Sequence, residues 1–372
     1  MQARRRQFLD LIAGNTTGLF ADLARAILFG LSLVYGLVMR VRNIYYDIFP
    51  GAVTRAGVPV ISIGNITVGG TGKTPMTVEI AQRIVARDHR VAVLTRGYKS
   101  EQRVKASAAA PGGVVVEPES DEAMLLRRNC PQAMVVIHPK RVLGAQAATE
   151  AGAEVLVMDD GFQHRKLGRD FDIVLVDAMA PFGYGAILPR GLLREPRSSL
   201  RRADLIVITR SDQITDNERK LLRGRIERIA DRPPIVEASH RIVEFADLRG
   251  ERVPLDRAEA MRAVIFAGIA NFEGFRRSVE ELGVEVAAAY EYPDHHEYAS
   301  DEIAGLRDVA ETLEANAILT TEKDAVKLEN RWRDGVCRLL VLKLAIEFDA
   351  DGDRILETRL DALLARAGKR KV

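Results

Sequence analysis

The sequence predicts an α/β protein: a doubly wound parallel-sheet domain, a second and smaller α/β domain, and an apolar helix ahead of both. Three observations predict it. Uninterrupted apolar runs such as VLVM (155–158), IVLV (173–176) and LIVI (205–208) alternate with helical stretches, as expected for strands covered on both faces of a parallel sheet. A glycine-rich turn separates the first such run from a helix, and the polar stretch Ser239–Arg262 divides one alternating series from a second. At roughly 150 residues per domain, 372 residues accommodate two or three domains.

Composition narrows the class. Hydrophobic residues make up 47% and charged residues 28% of the chain, which excludes wholesale disorder. Fifty-four basic against 52 acidic residues leave a net charge of +2, too little for a nucleic-acid binder with a dominant basic field. Cys130 and Cys337 lie too far apart for a CxxC-type zinc site, and two cysteines make no disulfide framework; they fit a reducing compartment.

The charge is unevenly placed. Residues 1–55 contain seven Arg and three Asp. Within them Ala26 to Met39 (AILFGLSLVYGLVM) is free of charge and bracketed by Arg25 and Arg40. As a helix this run is about 21 Å long, short of the roughly 30 Å hydrocarbon core of a bilayer. The preferred reading is a helix lying in the lipid interface, with Arg4, Arg5, Arg6, Arg40 and Arg42 meeting anionic head groups. A spanning helix over Leu19–Met39 with Arg25 snorkelling, or a buried core or partner helix, are the alternatives. A late apolar core without a small-residue cleavage site matches a signal peptide poorly.

The elements follow in order. Strands are expected at Val58–Ile63, Val91–Thr95, Val114–Glu117, Met134–Ile137, Glu154–Met158, Asp172–Asp177, Asp204–Thr209 and Pro234–Ala238, with helices at Pro75–Arg87, Asp121–Arg128, Lys140–Ala151 and Glu218–Ala230. Glu101–Gly113 reads as a mobile loop. The second series comprises strands Ala263–Phe266, Val284–Ala288, Ala317–Thr320 and Arg338–Leu344 with helices Phe272–Leu282 and Asp301–Glu314; Ile355–Ala367 closes the chain as an amphipathic helix before a basic tail. The expected organisation is residues 1–50 as the membrane-associating region, 51–240 as the phosphate-loop domain, 241–350 as the smaller domain with its linker, and 351–372 as the terminal helix and tail.

Val60–Pro75 (VISIGNITVGGTGKTP) carries the most chemistry. A strand, a glycine-rich turn and a helix opened by Lys73-Thr74 define a P-loop NTPase-like element, in which main-chain N–H groups over Thr67, Val68, Gly69, Gly70, Thr71, Gly72 and Lys73 wrap phosphate oxygens. Lys73 reaches the β- and γ-phosphates, Thr74 ligates Mg²⁺, and the helix adds its positive end. The strict pattern places glycine where this chain has Thr67, which is costly if that position needs positive φ. A second-strand carboxylate for the metal is offered by Asp159-Asp160, at the end of the run EVLVM where open α/β sheets bind ligands; turn capping is the plainer role for such a pair. Thr209-Arg210-Ser211-Asp212 resembles a guanine-reading motif with Arg for Lys, and Thr321–Asp324 matches it about as well. For proton transfer the chain offers Ser120-Asp121-Glu122 at a helix start, where capping is the alternative, and Asp294-His295-His296, where a solvated turn is. Metal ligation by the two histidines lacks a third ligand nearby in sequence.

GNITVGGTGKTP (64–75), RGY (96–98), SDEAMLL (120–126), MDDGFQHRKL (158–167), LPRGLLREP (188–196), FAGIANFEGF (266–275), PDHHEY (293–298) and TEKDAVK (321–327) together resemble the tetraacyldisaccharide 4′-kinase (lipid A 4′-kinase) family, in order and over most of the chain. That family tolerates Ser or Thr at the position of Thr67. The resemblance implies an ATP- and Mg²⁺-dependent kinase on the cytoplasmic face of the bacterial inner membrane. Its acceptor would be the 4′-hydroxyl of an acylated glucosamine disaccharide 1-phosphate. Neither nucleic acid nor an obligate protein partner is expected. It implies Asp121 as general base assisted by His295, Glu122, Asp159 and Asp160 with Thr74 around Mg²⁺, and Tyr98, Gln163, His164 and Arg194 along the substrate or phosphate path. It also implies two α/β domains joined by a short β-strand linker around a cleft. The alternative function is a membrane-associated P-loop GTPase or ATPase switch protein.

Overall fold

The computed structural model describes residues 2–96, 104–106, 114–116, 120–269, 271–294, 296–329, 331–333 and 337–369. The chain divides into two units: one comprises residues 1–119, 129–239 and 347–372, the other residues 120–128 and 240–346. Two long strands, Ile235–Ala246 and Arg338–Phe348, each begin in one unit and end in the other.

In the first unit seven parallel strands follow the spatial order Ile235–Ala246, Leu205–Thr209, Phe171–Asp177, Val60–Asn65, Val155–Met158, Val91–Thr95 and Met134–Ile137. Most of their residues are buried, Val60–Asn65 along its whole length, because helices cover parallel strands on both faces. The connection 159–170 carries the chain from one neighbour of Val60–Asn65 to the other. It therefore passes the point where the winding reverses, the place at which open α/β sheets leave room for a ligand. The helix Lys73–Val85 follows the glycine-rich turn and is clasped by the closing helix Ala350–Lys369 through Arg83–Asp353 (2.7 Å) and Arg87–Asp361 (3.0 Å).

Val114–Val116 corrects the expected strand list. It pairs antiparallel with Val104–Ala106 in a separate two-stranded ladder and takes no place among the parallel strands. Val104–Ala106 also puts a strand inside the stretch read as a loop; the rest of 101–113 lies outside the described residues. The polar stretch Ser239–Arg262 is partly strand, since the run beginning at Ile235 continues to Ala246 and pairs with Arg252–Val253.

The N-terminal region forms the helices Gln2–Ala13 and Leu19–Ile48. The second, 30 residues long, extends about 45 Å at 1.5 Å per residue, more than the charge-free run alone predicts. Its buried residues Ser32, Gly36, Met39 and Asn43 form one stripe, while Ile27, Val34, Val38 and Val41 on the opposite side are each more than half exposed. At Gly36 the helix comes so close to the 186–193 turn that an added Cβ would stand 3.2 Å from the Ile187 side chain.

The second unit holds parallel strands in the order Glu285–Glu291, Arg262–Ala267, Ala317–Thr321 and Arg338–Phe348. Phe272–Glu281 packs into an apolar cluster with Phe245, Ile265 and Leu319. Ser300–Thr312 joins a second cluster in which Phe266 meets Tyr298 edge-on at 5.3 Å and stacks on Trp332. The helix Asp121–Asn129 belongs with this unit up to Arg128, although its residues fall within the span 51–240 assigned to the phosphate-loop domain from sequence.

Candidate active site

The first unit holds the phosphate loop. Gly72 caps the helix from the left-handed region (φ 82°) and Gly69 has φ 134°, so these two positions need glycine. Thr67 is not among the residues with positive φ; it is buried and bridges to Leu193, while Val68 N–H donates to Leu192 O at 2.7 Å. The concern raised by its departure from the strict pattern is thereby answered: the bend is made at Gly69. Asn65 Nδ2 ties the strand end to Thr71 Oγ1 at 2.9 Å. Lys73 Nζ lies 3.4 Å from Gly69 O, and Thr74 is half-buried in the first turn.

Asp159 and Asp160 face this loop. Thr77 Oγ1 donates to Asp159 Oδ1 at 3.1 Å, and Lys73 Nζ stands 3.7 Å from Asp160 Oδ1. Arg194 Nη1 donates to both Asp160 oxygens at 2.9 Å, and Gln163 Nε2 donates to Asn65 O at 2.8 Å. Gly161 follows at a position where a Cβ would stand 2.8 Å from Met158 Cγ and Ser62 Oγ, which lets the chain turn tightly over the sheet. Burial first, and then the charge of Asp160, push the Asp159 carboxyl up to about 6. Asp160 is held below its usual range because Lys73 and Arg194 outweigh its burial. His164 is pushed down to about 4 by burial and by Arg141 and Arg169, so its ring is neutral at physiological pH.

The Asp159 shift has a measurable sign. Between roughly pH 4 and 6 the folded chain retains a proton that the unfolded chain has released, so this residue makes stability fall as pH rises through that window, by at most about 1.4 kcal/mol per pH unit. Asp159→Asn is expected to remove that slope. Denaturant melts of the two proteins across pH 4–7 check it, and parallel pH profiles would contradict it.

Several members of this site carry no local sequence signal. Thr77 and Arg141, whose Nη2 donates to Asp159 O at 2.9 Å, come from separate helices. Arg210, part of the stretch resembling a guanine-reading motif, bonds to Gly70 O and pairs with Asp177 at 3.2 Å, while Thr209 Oγ1 donates to Thr71 O at 3.3 Å. These two side chains brace the phosphate loop.

The second unit holds the candidate base. Ser120 Oγ accepts from Ala123 N–H at 3.3 Å and so caps the helix, which leaves the Asp121 carboxylate for other work. Lys327, only 4% exposed, places Nζ 3.0 Å from Asp121 Oδ2 and donates to His296 O at 3.0 Å. A single buried ammonium thus joins the start of the Asp121 helix to the main chain at His296. Lys323 Nζ donates to Asp294 Oδ1 at 2.6 Å, and His296 Nε2 lies 2.9 Å from Glu302. Glu122 occupies the first turn beside Asp121 and is half-buried. His295 and Tyr98 lie outside the described residues. No cluster of three or more His, Cys, Asp or Glu able to hold a metal is found among the described residues; the pair Asp159–Asp160 with Thr74 remains a hard-oxygen donor set of the kind Mg²⁺ takes.

A parallel sheet with a phosphate loop at its reversal point and paired carboxylates beside it defines a P-loop nucleotide-binding protein. Comparison with known proteins makes this specific. The family described as tetraacyldisaccharide-1-P 4′-kinase (LpxK) matches residues 24–365, and the chain belongs to that family. It is similar to the tetraacyldisaccharide 4′-kinases of Anaeromyxobacter dehalogenans (40% identical, over 87% of this chain and 86% of that one) and Geobacter metallireducens (38%, over 92% and 99%). The crystal structure of an "apo" form of LpxK from Aquifex aeolicus in complex with ATP superimposes with a TM-score of 0.71 at 28% identity, covering 92% of this chain and 99% of that chain.

Proposed function

We propose that the protein transfers the γ-phosphoryl group of ATP to the 4′-hydroxyl of an acylated glucosamine disaccharide 1-phosphate, giving lipid IVA. The observation that carries the reading is the loop 67–74 facing the carboxylate pair of buried Asp159 and part-exposed Asp160, in a chain whose relatives bear this kinase name. The loop N–H groups and Lys73 bind the triphosphate and orient it. Thr74, Asp159 and Asp160 supply oxygen ligands for Mg²⁺, with Glu122 assisting. The adjacent carboxylates, Asp159 raised by burial and then by the charge of Asp160, fit a divalent cation. When bound, Mg²⁺ offsets charge on the β- and γ-phosphate oxygens. Asp121 accepts the acceptor hydroxyl's proton with His295 as its partner. Arg194, with Gln163, His164 and Tyr98 along the same path, meets the transferring phosphoryl or the acidic lipid.

The acceptor's acyl chains keep it in a bilayer, so the enzyme works there. The apolar side of Leu19–Ile48, the one helix among the described residues long and apolar enough to cross a membrane, supports seating at the cytoplasmic face of the inner membrane. Each large apolar side chain withdrawn from water contributes about 1.5–3 kcal/mol, and the stripe packed against the first unit favours lying along the interface over spanning it.

Radiolabelled ATP with the disaccharide 1-phosphate in detergent micelles tests the proposal. Label is expected on the lipid only when the acceptor is present. Steady nucleotide hydrolysis without any acceptor, and no lipid labelling, would replace it with a P-loop switch protein.

A further inference from the structure

The helix Leu19–Ile48 does more than offer an apolar side. Its inner side reaches into the phosphate site with three polar groups. Tyr35 OH donates to Arg194 O at 3.1 Å, Arg42 bonds to Gln163 O, and Asn43 Nδ2 donates to Glu195 Oε2 at 2.8 Å. Glu195 is fully buried and ion-paired with Arg202 at 2.9 Å. Its neighbour Arg194 is anchored on the other side, where its N–H donates to Ile66 O at 2.7 Å, and its guanidinium spans both oxygens of Asp160. Residues 194–195 are thus strung between the end of the phosphate-loop strand and the helix. Ile27, Val34, Val38 and Val41 face away from this network, so the rotation that presents them to lipid also presents Asn43 to Glu195.

We propose that Asn43 is a positioning residue for phosphoryl transfer, acting from the lipid-facing helix through Glu195 to set the adjacent Arg194 against Asp160. The proposal rests on the kinase reading above. Glu195 is held by Asn43, Ser199 and Arg202, and a buried carboxylate that loses one of its partners shifts toward those that remain. Without Asn43, Glu195 moves toward Arg202 and draws the Arg194 main chain out of register with Asp160.

A double-variant cycle tests this. Asn43→Ala is expected to lower kcat about tenfold with KM for lipid little changed, and to lower the melting temperature because Glu195 stays buried with one partner fewer. In an Arg194→Ala background the same substitution should have no further effect on kcat, because coupled residues do not add. Glu195→Gln, which keeps shape and loses charge, should reproduce the loss and carries the test if Asn43→Ala fails to fold. Additive losses, or a loss confined to KM for lipid, would overturn the proposal and leave Asn43 a docking residue. The cycle is repeated on Mg²⁺-dependent ATP binding, which needs no acceptor. A wild type inactive toward lipid would therefore sink the kinase reading, while non-additive or additive binding would still decide the coupling.

Discussion

Asp121→Ala should lower kcat by about 10²–10⁴-fold, the usual worth of a positioned general base, and leave ATP affinity near its wild-type value. The carboxylate is not needed to cap its helix, since Ser120 does that. It is not part of the glycine-rich loop proposed to bind the triphosphate, since it belongs to the second unit and the loop to the first. Its partner is Lys327, whose stem and ammonium are buried. Removing the carboxylate therefore leaves a buried cation with the His296 carbonyl and Asp324, a cost in stability that Asp121→Asn avoids by keeping a hydrogen-bond acceptor. Agreement of the two variants in kcat, with only the alanine lowering the melting temperature, would separate proton transfer from structure. A large loss of ATP binding with kcat unchanged would refute the assigned role.

Lys73→Ala should cost on the order of 10²–10³ in kcat, as for loss of one preorganised donor to developing charge. Unlike the Asp121 variants, it should also weaken ATP binding, because Lys73 opens the helix whose first turn is proposed to meet the phosphates. It should move a titration as well. Lys73 is among the charges that hold the Asp159 carboxyl down against burial and Asp160, so without it that carboxyl titrates above its wild-type value of about 6. A variant with full turnover, or with the Asp159 midpoint unmoved, would show that the ammonium does not serve the phosphates.

The parts of this arrangement readable in advance are those written locally. Consecutive apolar residues announced the buried strands, and GTGKT after such a strand announced the phosphate loop, because both depend on neighbours in sequence. Asp159 and Asp160 followed from their place at a strand end. The partners that tune them did not: Thr77, Arg141 and Arg210 are ordinary residues until the fold gathers them. The same holds for Lys327, an unremarked member of TEKDAVK that turns out to bind the candidate base. Val114–Val116 misled because a short β-branched run has the same appearance in a hairpin as in a parallel sheet. Leu19–Ile48 extends past the charge-free run at both ends, where Arg25 reaches Thr16 O and Asp22, and Arg42 reaches Gln163 O instead of the head groups expected for it.

The clasp between Lys73–Val85 and Ala350–Lys369 has a bearing on biosynthesis. The flank that steadies the nucleotide-binding lobe is translated only after the whole of 240–346 has been made. That inserted stretch emerges while its host is still missing a wall, so it has to mature beside an unfinished neighbour. Ribosome-arrested chains extended far enough past residue 346 for the insert alone to have cleared the exit tunnel should therefore show a protease-resistant insert and a protease-sensitive host, with resistance spreading to the host once the last helix has emerged.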